Sequence, residues 1–240
     1  MPLMDHLAEL RRRLIICLVG VVAAAVAAFS FSDALLRWLV APLNTQLVFL
    51  SPAEAFWVSL KLALVAGLLA VLPLVLFQVW QFIAPALYRS ERRYGAVFII
   101  GSYLLFLLGL AFCGLVALPF ALRFLIAFGQ DRGMTPMISA DLYVDFALKF
   151  YLAFGLIFEM PLVVTLTSRM GFVTPEFLAR NRRYALLINA ILAAVLTPTS
   201  DVFNMMVMLV PLTLLYEVGI WGAKLFGRHK PVPDPAAIEI

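Results

Sequence analysis

Glu159 is the residue whose type and surroundings most clearly indicate chemistry. It is the single charged residue of GLIFEMPLVV, residues 155–164, and Pro161, which can bend a helix, follows two positions later. An acid at the centre of a bilayer costs roughly 2.5–3.5 kcal/mol on insertion scales, so acids inside membrane spans usually have a function. A structural carboxylic acid held by hydrogen bonds is the alternative. We favour an acid that faces a water-accessible groove.

Glu9 is a second acid of interest, in the arginine-rich segment MDHLAELRRRL. Leucines recur there at helical spacing, and His6, Glu9 and Arg13 fall on a more polar face. The pattern predicts an amphipathic helix at the membrane surface that leads into the first span. Periodicity favours an ion pair of Glu9 with Arg12 or Arg13, worth a few tenths of a kcal/mol. The functional alternative is a carboxylate held at the surface to receive a cation.

Glu91 lies in QVWQFIAPALYRSERRYG, residues 78–95, which joins the end of one apolar segment to the start of the next. Its aromatic residues are typical of a membrane interface, and arginines flank the acid on both sides. The segment is either a solvated loop whose charges neutralise one another or a second carboxylate on the same membrane face as Glu9.

Six apolar segments predict membrane spans, each of which takes about 20 residues. Of the 240 residues, 64% are hydrophobic and 13% charged, too few to give a soluble domain of this size a polar surface. We predict an all-α polytopic membrane protein with one domain, 1–228, and a disordered tail, 229–240. The fifth span is short, about 14 residues. The predicted spans are roughly 14–31, 57–80, 94–122, 144–168, 184–197 and 203–222.

The basic residues predict the orientation of these spans. With six spans, thirteen of the eighteen Lys and Arg residues fall on the side that holds both termini, and Arg37, Arg123 and Arg132 fall on the other. Lys61 and Lys149 lie near helix ends and can snorkel. Because basic residues accumulate on the cytoplasmic side, both termini should be cytoplasmic. The predicted external loops are 32–56, 123–143 and 198–202.

Several kinds of chemistry are not indicated. His6 and His229 are the two histidines and lie outside the spans, so neither a membrane metalloprotease helix nor a Ser–His dyad in the membrane is predicted. Cys17 and Cys113 lie in apolar runs, which argues against a disulfide or a metal site. We expect no enzymatic activity, cofactor or bound metal. No internal repeat is visible, which disfavours a secondary transporter.

The order of the sequence motifs indicates a family. In chain order they are HLAELRRRL, SPAEAFWVSLK, QVWQFIAPALYRSERR, FGLIFEMPLV, GFVTPEFLARNRRY, LTPTSDVFNMM and VPLTLLYEVGI. With six predicted spans, residues of about 3–228 closely resemble the C subunit of the twin-arginine protein translocase. The resemblance implies a curved, glove-like bundle in a prokaryotic plasma (inner) membrane. It also implies a receptor for twin-arginine signal peptides that transports folded proteins on the proton-motive force.

The resemblance implies partners and binding residues as well. The partners would be small single-span subunits of the A and B types within an oligomeric translocase, with no role for nucleic acid. The acids that contact the paired arginines match Glu9 and Glu91. Other members of the signal-peptide site would be His6, Arg11, Phe82 and Pro85.

Further positions match the family at other depths of the membrane. Glu159 matches its intramembrane acid, and Pro42 matches a structural position of the first external loop. The surface between the fifth and sixth helices, where partner spans dock, would include Thr197, Asp201 and Met205. Many relatives have a glutamine where this chain has Met205, so one polar group expected on that surface is missing here.

The chemistry of the two surface acids agrees with this interpretation. A guanidinium pairs with a carboxylate through two parallel hydrogen bonds, which lysine cannot copy, so two acids on one face can prefer paired arginines to paired lysines. The surrounding arginines either attract anionic lipids or pair with Glu9 and Glu91 until a peptide displaces them. Two rival functions remain open: a small-solute transporter with Glu159 as its proton carrier, and a purely structural subunit of a membrane complex.

Overall fold

The computed structural model describes residues 3–41, 43, 47–86, 95–197 and 201–226. Pro42, Glu91 and the tail 229–240 lie outside these residues, so the predictions made for them are not addressed by the structure. The described chain is built almost entirely from helices.

The first half of the chain forms four helices and a short strand. In order these are α1 (Leu3–Phe29), α2 (Ser32–Val40), β1 (Leu47–Val48), α3 (Glu54–Ala70) and α4 (Leu72–Ile83), followed by a 3-10 turn, Ala84–Ala86. The second half contains α5 (Gly95–Phe112), a π-helical turn (Cys113–Ala117), α6 (Leu118–Gln130), β2 (Ile138–Ser139), α7 (Ala140–Phe158), α8 (Met160–Arg169), α9 (Pro175–Arg180), α10 (Arg182–Leu196) and α11 (Val202–Phe226).

Four described helical segments are long and apolar enough to cross a membrane. They are His6–Phe29, Gly95–Gln130, Ala140–Arg169 and Val202–Leu225, and a fifth span results if α3 and α4, which meet at a 56° bend, count as one. The predicted span 184–197 corresponds to α10, whose 15 residues extend over about 22 Å, less than the roughly 30 Å of a hydrocarbon core. The count of six spans therefore stays a prediction.

Prolines explain where the observed helices depart from the predicted spans. Proline lacks an amide hydrogen and its ring clashes with the preceding turn, so an uninterrupted α-helix cannot contain it without distortion. Pro73 follows the break between α3 and α4, and Pro161 follows the break between α7 and α8. Before Pro119 the helix widens into the π turn, which lets the third segment continue to Gln130.

Two segments that were predicted as loops contain regular structure. Segment 32–56 holds α2 and β1, and segment 123–143 holds the end of α6, the strand β2 and the start of α7. Helix α2 has nine residues, too few to cross a membrane, so the sequence assigned it to a loop between two spans. Within this helix Asp33 lies in the first turn and Arg37 in the last, where each suits the helix dipole.

Helix α7 lies at the centre of the bundle. Its residues Phe150 and Phe154 are fully buried, and it packs along α5 and α3. Helix α1 packs along α3, and α8 packs along α11. Close packing of α5 on α7 depends on Gly109, because a Cβ there would lie 2.5 Å from the carbonyl oxygen of Phe154.

Glu54 ties together the end of the bundle that lies opposite to Glu9. The strands β1 and β2 pair in parallel there. The Glu54 carboxylate accepts hydrogen bonds from Ser139 Oγ at 2.6 Å and from the amides of Asp141 at 2.8 Å, Leu50 at 2.6 Å and Ser51 at 3.3 Å. One side chain thus joins the segment before α3 to the segment before α7.

Replacing Glu54 with glutamine should lower the thermal unfolding midpoint of the detergent-purified protein by several degrees. The amide would present an N–H₂ group to at least one of the four donors, leaving a buried donor unpaired. Glu176→Gln is the matched control, because Glu176 is exposed in the first turn of α9. Equal midpoints for the two variants would contradict the role assigned to Glu54.

Candidate functional site

The first turns of α1 lie against α4 through one polar face. His6, Glu9 and Arg13 are three and four residues apart, so they share a side of the helix. The His6 ring stacks on the Phe82 ring with centroids 4.3 Å apart and planes inclined by 16°. The structure therefore brings together three of the predicted site residues, His6, Glu9 and Phe82, at the junction of α1 and α4.

Arg13 connects Glu9 to α4. Its Nε donates to Glu9 Oε1 at 3.2 Å, and its Nη2 donates to the same oxygen. Its Nη1 donates to Gln78 Oε1 at 3.1 Å and to Gln81 Oε1 at 2.5 Å. Of the two partners that the spacing allowed for Glu9, Arg12 and Arg13, the structure shows Arg13, and the pair is extended by two glutamines of the neighbouring helix.

Glu9 remains accessible despite this pair. Its side chain is 24% exposed, and that of Arg13 is 17% exposed. Both contacts use Oε1, and Oε2 accepts no hydrogen bond from the residues that the structure describes. Arg11 is exposed near Glu9 on α1, and Pro85 lies in the exposed turn after α4. The second predicted acid, Glu91, belongs to 87–94, outside the described residues.

Glu159 lies at the junction of α7 and α8. Ser102 on α5, only 1% exposed, donates its hydroxyl to Glu159 Oε2 at 2.6 Å. The other oxygen, Oε1, is buried and accepts no hydrogen bond within the described chain. Among the described residues no basic side chain forms an ion pair with Glu159. One buried acceptor of this acid therefore has no donor from the described residues.

The predicted docking residues lie at the junction of α10 and α11. Thr197 is 8% exposed, and its hydroxyl donates to the carbonyl oxygen of Ala193 at 2.6 Å. Asp201 caps α11 by accepting from the amide of Asn204 at 2.7 Å, and Met205 is half-buried. Thr197 and Asp201 thus make contacts inside the chain, and their role in docking stays a prediction.

Sequence reasoning missed several polar side chains that make long-range contacts. Gln78 and Gln81 are separated by one helical turn in the otherwise apolar LPLVLFQVWQFI, and that isolated pair was a signal that such reasoning could have used. Lys61, predicted to snorkel, instead contacts Asp141 at 2.6 Å and Asp145 at 2.7 Å. These contacts, like that of Ser102, join helices that are distant in sequence.

At the opposite end of the bundle from Lys61, a two-pronged ion pair links α10 to α11. Arg182 donates Nε and Nη2 to the two oxygens of Glu217 at 2.7 and 3.0 Å. This arrangement shows within the chain how a guanidinium matches a carboxylate.

Comparison with known proteins assigns the chain to a family. The model of the family described as Sec-independent protein translocase protein (TatC) matches residues 5–211. The chain belongs to the TatC family. It is 40% identical over 227 residues to the Sec-independent protein translocase protein TatC of Carboxydothermus hydrogenoformans, covering 93% of each chain. It is 39% identical over 236 residues to the Aquifex aeolicus protein of that name, covering 96% of this chain and 98% of that one.

A solved structure shares the fold. The crystal structure of a twin arginine translocase receptor, TatC, superposes with a TM-score of 0.82 at 39% identity, covering 93% of this chain and all of the other. This likeness, together with the family match, confirms the predicted class of a helical, polytopic membrane protein. The family predicted from the sequence motifs is confirmed as well.

Replacing Ser102 with alanine should destabilise the protein by about 1–3 kcal/mol, because Glu159 loses the side-chain hydrogen bond that Ser102 gives it and a buried polar group left unpaired costs about that much. Ser168→Ala is the matched control, since Ser168 is also 1% exposed but its hydroxyl has no partner among the described residues. Thermal unfolding of both variants in detergent makes the comparison. Similar destabilisation by both would show that the bond between Ser102 and Glu159 contributes nothing of its own.

Proposed function

We propose that this chain is the receptor subunit of a twin-arginine translocase, which binds signal peptides with paired arginines and takes part in moving folded proteins across the membrane. Membership of the TatC family along almost the whole chain carries this proposal. The solved structure with the same fold is itself a twin arginine translocase receptor.

The junction of α1 and α4 has the chemistry that such a receptor needs. Glu9 offers a partly exposed carboxylate whose Oε2 accepts no hydrogen bond from the described residues. An arginine of the peptide can donate to this oxygen, and the planar guanidinium gains more from a fixed carboxylate than the compact ammonium of lysine. The stacked rings of His6 and Phe82 form an apolar wall beside the acid, with Arg11 and Pro85 nearby.

Glu91 supplies the second acid in this proposal. Two carboxylates on one face suit two adjacent guanidinium groups, which explains a preference for paired arginines over a single one. The arginines around Glu91 in the sequence keep the segment on the basic side of the membrane.

The proposed location is the prokaryotic plasma membrane, with six spans and both termini in the cytoplasm. The excess of basic residues on one side supports this orientation. The six spans require α3 and α4 to count as one broken span and α10 to cross a locally thinned bilayer. Energy for transport would come from the proton-motive force.

The proposed partners are small single-span subunits of the A and B types, which join this chain in an oligomeric translocase. They would dock near the junction of α10 and α11, around Thr197, Asp201 and Met205. Because hydrogen bonds between spans favour association only modestly, a few polar contacts would allow subunits to join and leave.

Glu159 would act after the peptide is bound. Its unsatisfied Oε1 can accept a donor from a partner span or from an inserted signal peptide, since a buried acceptor without a partner is costly. The acid would therefore attract a polar group into the middle of the bundle.

Loss of both surface acids should abolish the preference for arginine. We expect the purified wild-type protein to bind a labelled twin-arginine signal peptide more tightly than its twin-lysine version. In the Glu9→Ala, Glu91→Ala double variant, the affinity for the twin-arginine peptide should fall at least about a hundredfold, because each of the two lost charged hydrogen bonds is worth roughly 1.5–3 kcal/mol.

Fluorescence anisotropy in detergent measures these affinities, with Glu176→Ala as the control for loss of an exposed acid. Equal binding of the two peptides by the wild type, or an unaffected double variant, would refute the receptor role of these acids.

Replacing Glu159 with alanine should separate binding from transport. The peptide affinity should stay close to that of the wild type, since the described side-chain partner of Glu159 is Ser102 on α5 and not a residue of α1 or α4, whereas transport of a folded cargo into energised membrane vesicles should fall strongly. Leu156→Ala is the control, because Leu156 is 61% exposed on the same helix. Equal loss of binding and transport would count against a separate role for Glu159.

A further inference from the structure

Arg13 is surrounded by oxygen acceptors from two helices. Its three guanidinium nitrogens donate to Glu9 on α1 and to both Gln78 and Gln81 on α4. Gln78 is itself 8% exposed, so its side chain is confined by packing as well as by the hydrogen bond. The position of Arg13 is therefore set by α4 and not by its own helix alone.

These hydrogen bonds use only one of the two carboxylate oxygens of Glu9. A guanidinium that meets a carboxylate in the usual forked arrangement uses both oxygens, as Arg182 does with Glu217. Arg13 instead directs Nε and Nη2 to Oε1 alone, while its Nη1 is held by the two glutamines. This leaves Oε2 as the oxygen through which Glu9 can bind another molecule.

We infer that Gln78 and Gln81 are positioning residues of the signal-peptide site: they hold Arg13, and Arg13 fixes the Glu9 carboxylate with Oε2 presented to an incoming arginine. We call Arg13, Gln78 and Gln81 the Arg13 bracket. The inference rests on the proposed receptor function and deepens it, because it names the residues that set the preference for arginine.

Two physical effects explain how the Arg13 bracket favours arginine over lysine. A glutamate whose side chain is already held loses less conformational entropy when it binds a peptide. The charge of Arg13 also offsets that of Glu9, which reduces the attraction for any cation while leaving a directional acceptor in place. A forked guanidinium exploits a directional acceptor, whereas an ammonium mainly senses charge.

The test measures the binding of twin-arginine and twin-lysine signal peptides to the full chain in detergent. Preference is expressed as the dissociation constant of the twin-lysine peptide divided by that of the twin-arginine peptide. In the Gln78→Leu, Gln81→Leu double variant and in Arg13→Ala, this ratio should fall roughly tenfold, the loss expected for one charge-assisted hydrogen bond. Binding of the twin-lysine peptide should stay unchanged or tighten. Gln130→Leu and Arg12→Ala are the matched controls, both at exposed positions, and should keep the wild-type ratio.

We expect the same fall in the ratio for Arg13→Lys, which keeps the positive charge. An ammonium group lacks the planar fork of a guanidinium and cannot bridge Glu9 and both glutamines in the same way. This variant keeps the test decisive if the double variant folds poorly. A thermal unfolding midpoint accompanies each binding measurement. Parallel loss of both peptides with a lowered midpoint would assign the bracket a structural role only and overturn the inference.

The outcomes also separate this inference from the proposed function. If the wild type does not distinguish the two peptides, or if Glu9→Gln keeps the preference, the function proposed for Glu9 fails and the inference fails with it. If Glu9→Gln loses the preference while the bracket variants keep it, only the inference is overturned. Tighter binding of both peptides by Arg13→Ala at an unchanged ratio would also overturn it, since Arg13 would then only compete with the peptide for Glu9.

Discussion

The hydrocarbon core of a bilayer offers no hydrogen bonds to a peptide backbone, and the rest of this structure depends on that constraint. Every amide and carbonyl group at that depth needs a hydrogen-bond partner within the protein. The chain therefore crosses as helices and bends only where other groups of the protein supply the missing hydrogen bonds. At the break before Pro161 this condition is met locally. The amide of Glu159 donates to the carbonyl oxygen of Leu156 at 3.1 Å, and the Glu159 carbonyl accepts from Leu162 and Val163 at 3.0 Å.

The same break gives the intramembrane acid its surroundings. Glu159 follows the last residue of α7 and directly precedes α8, so it lies between the negative end of one helix dipole and the positive end of the next, whose effects on an acid oppose each other. Ser102 reaches it from α5, and close packing at Gly109 keeps α5 against α7. The hydroxyl of Ser102 thus gives the acid a hydrogen bond at a depth where an isolated carboxylate is costly.

Polar side chains at the two ends of the bundle complement this apolar middle. Lipid tails are as apolar as the helix surfaces, so contacts among apolar side chains give little preference for one neighbouring helix over another. Directional hydrogen bonds supply that preference for one neighbouring helix here. Glu54 joins the segments before α3 and α7 at one end, and Arg13 joins α1 to α4 at the other. The second of these connections lies within the proposed peptide site, so stability and recognition share residues.

The sequence by itself determined the class of protein, the family and the local features. Apolar runs indicate that a segment enters the membrane, ordered motifs indicate the family, and spacing along one helix limited the partner of Glu9 to Arg12 or Arg13. The sequence did not predict α2, which is too short to be recognised as a span, or the change to a π turn before Pro119. Local periodicity describes the face of a helix but says nothing about which other helix meets that face.

Only the tertiary structure decided the long-range contacts. Gln78 and Gln81 lie 65 and 68 residues from Arg13, Ser102 lies 57 residues from Glu159, and Ser139 lies 85 residues from Glu54. In each case a polar residue within an apolar or loop segment gains its role from a neighbour on another element. That neighbour is set by the packing of all the helices together, because the free energy of each contact depends on burial that no single helix provides.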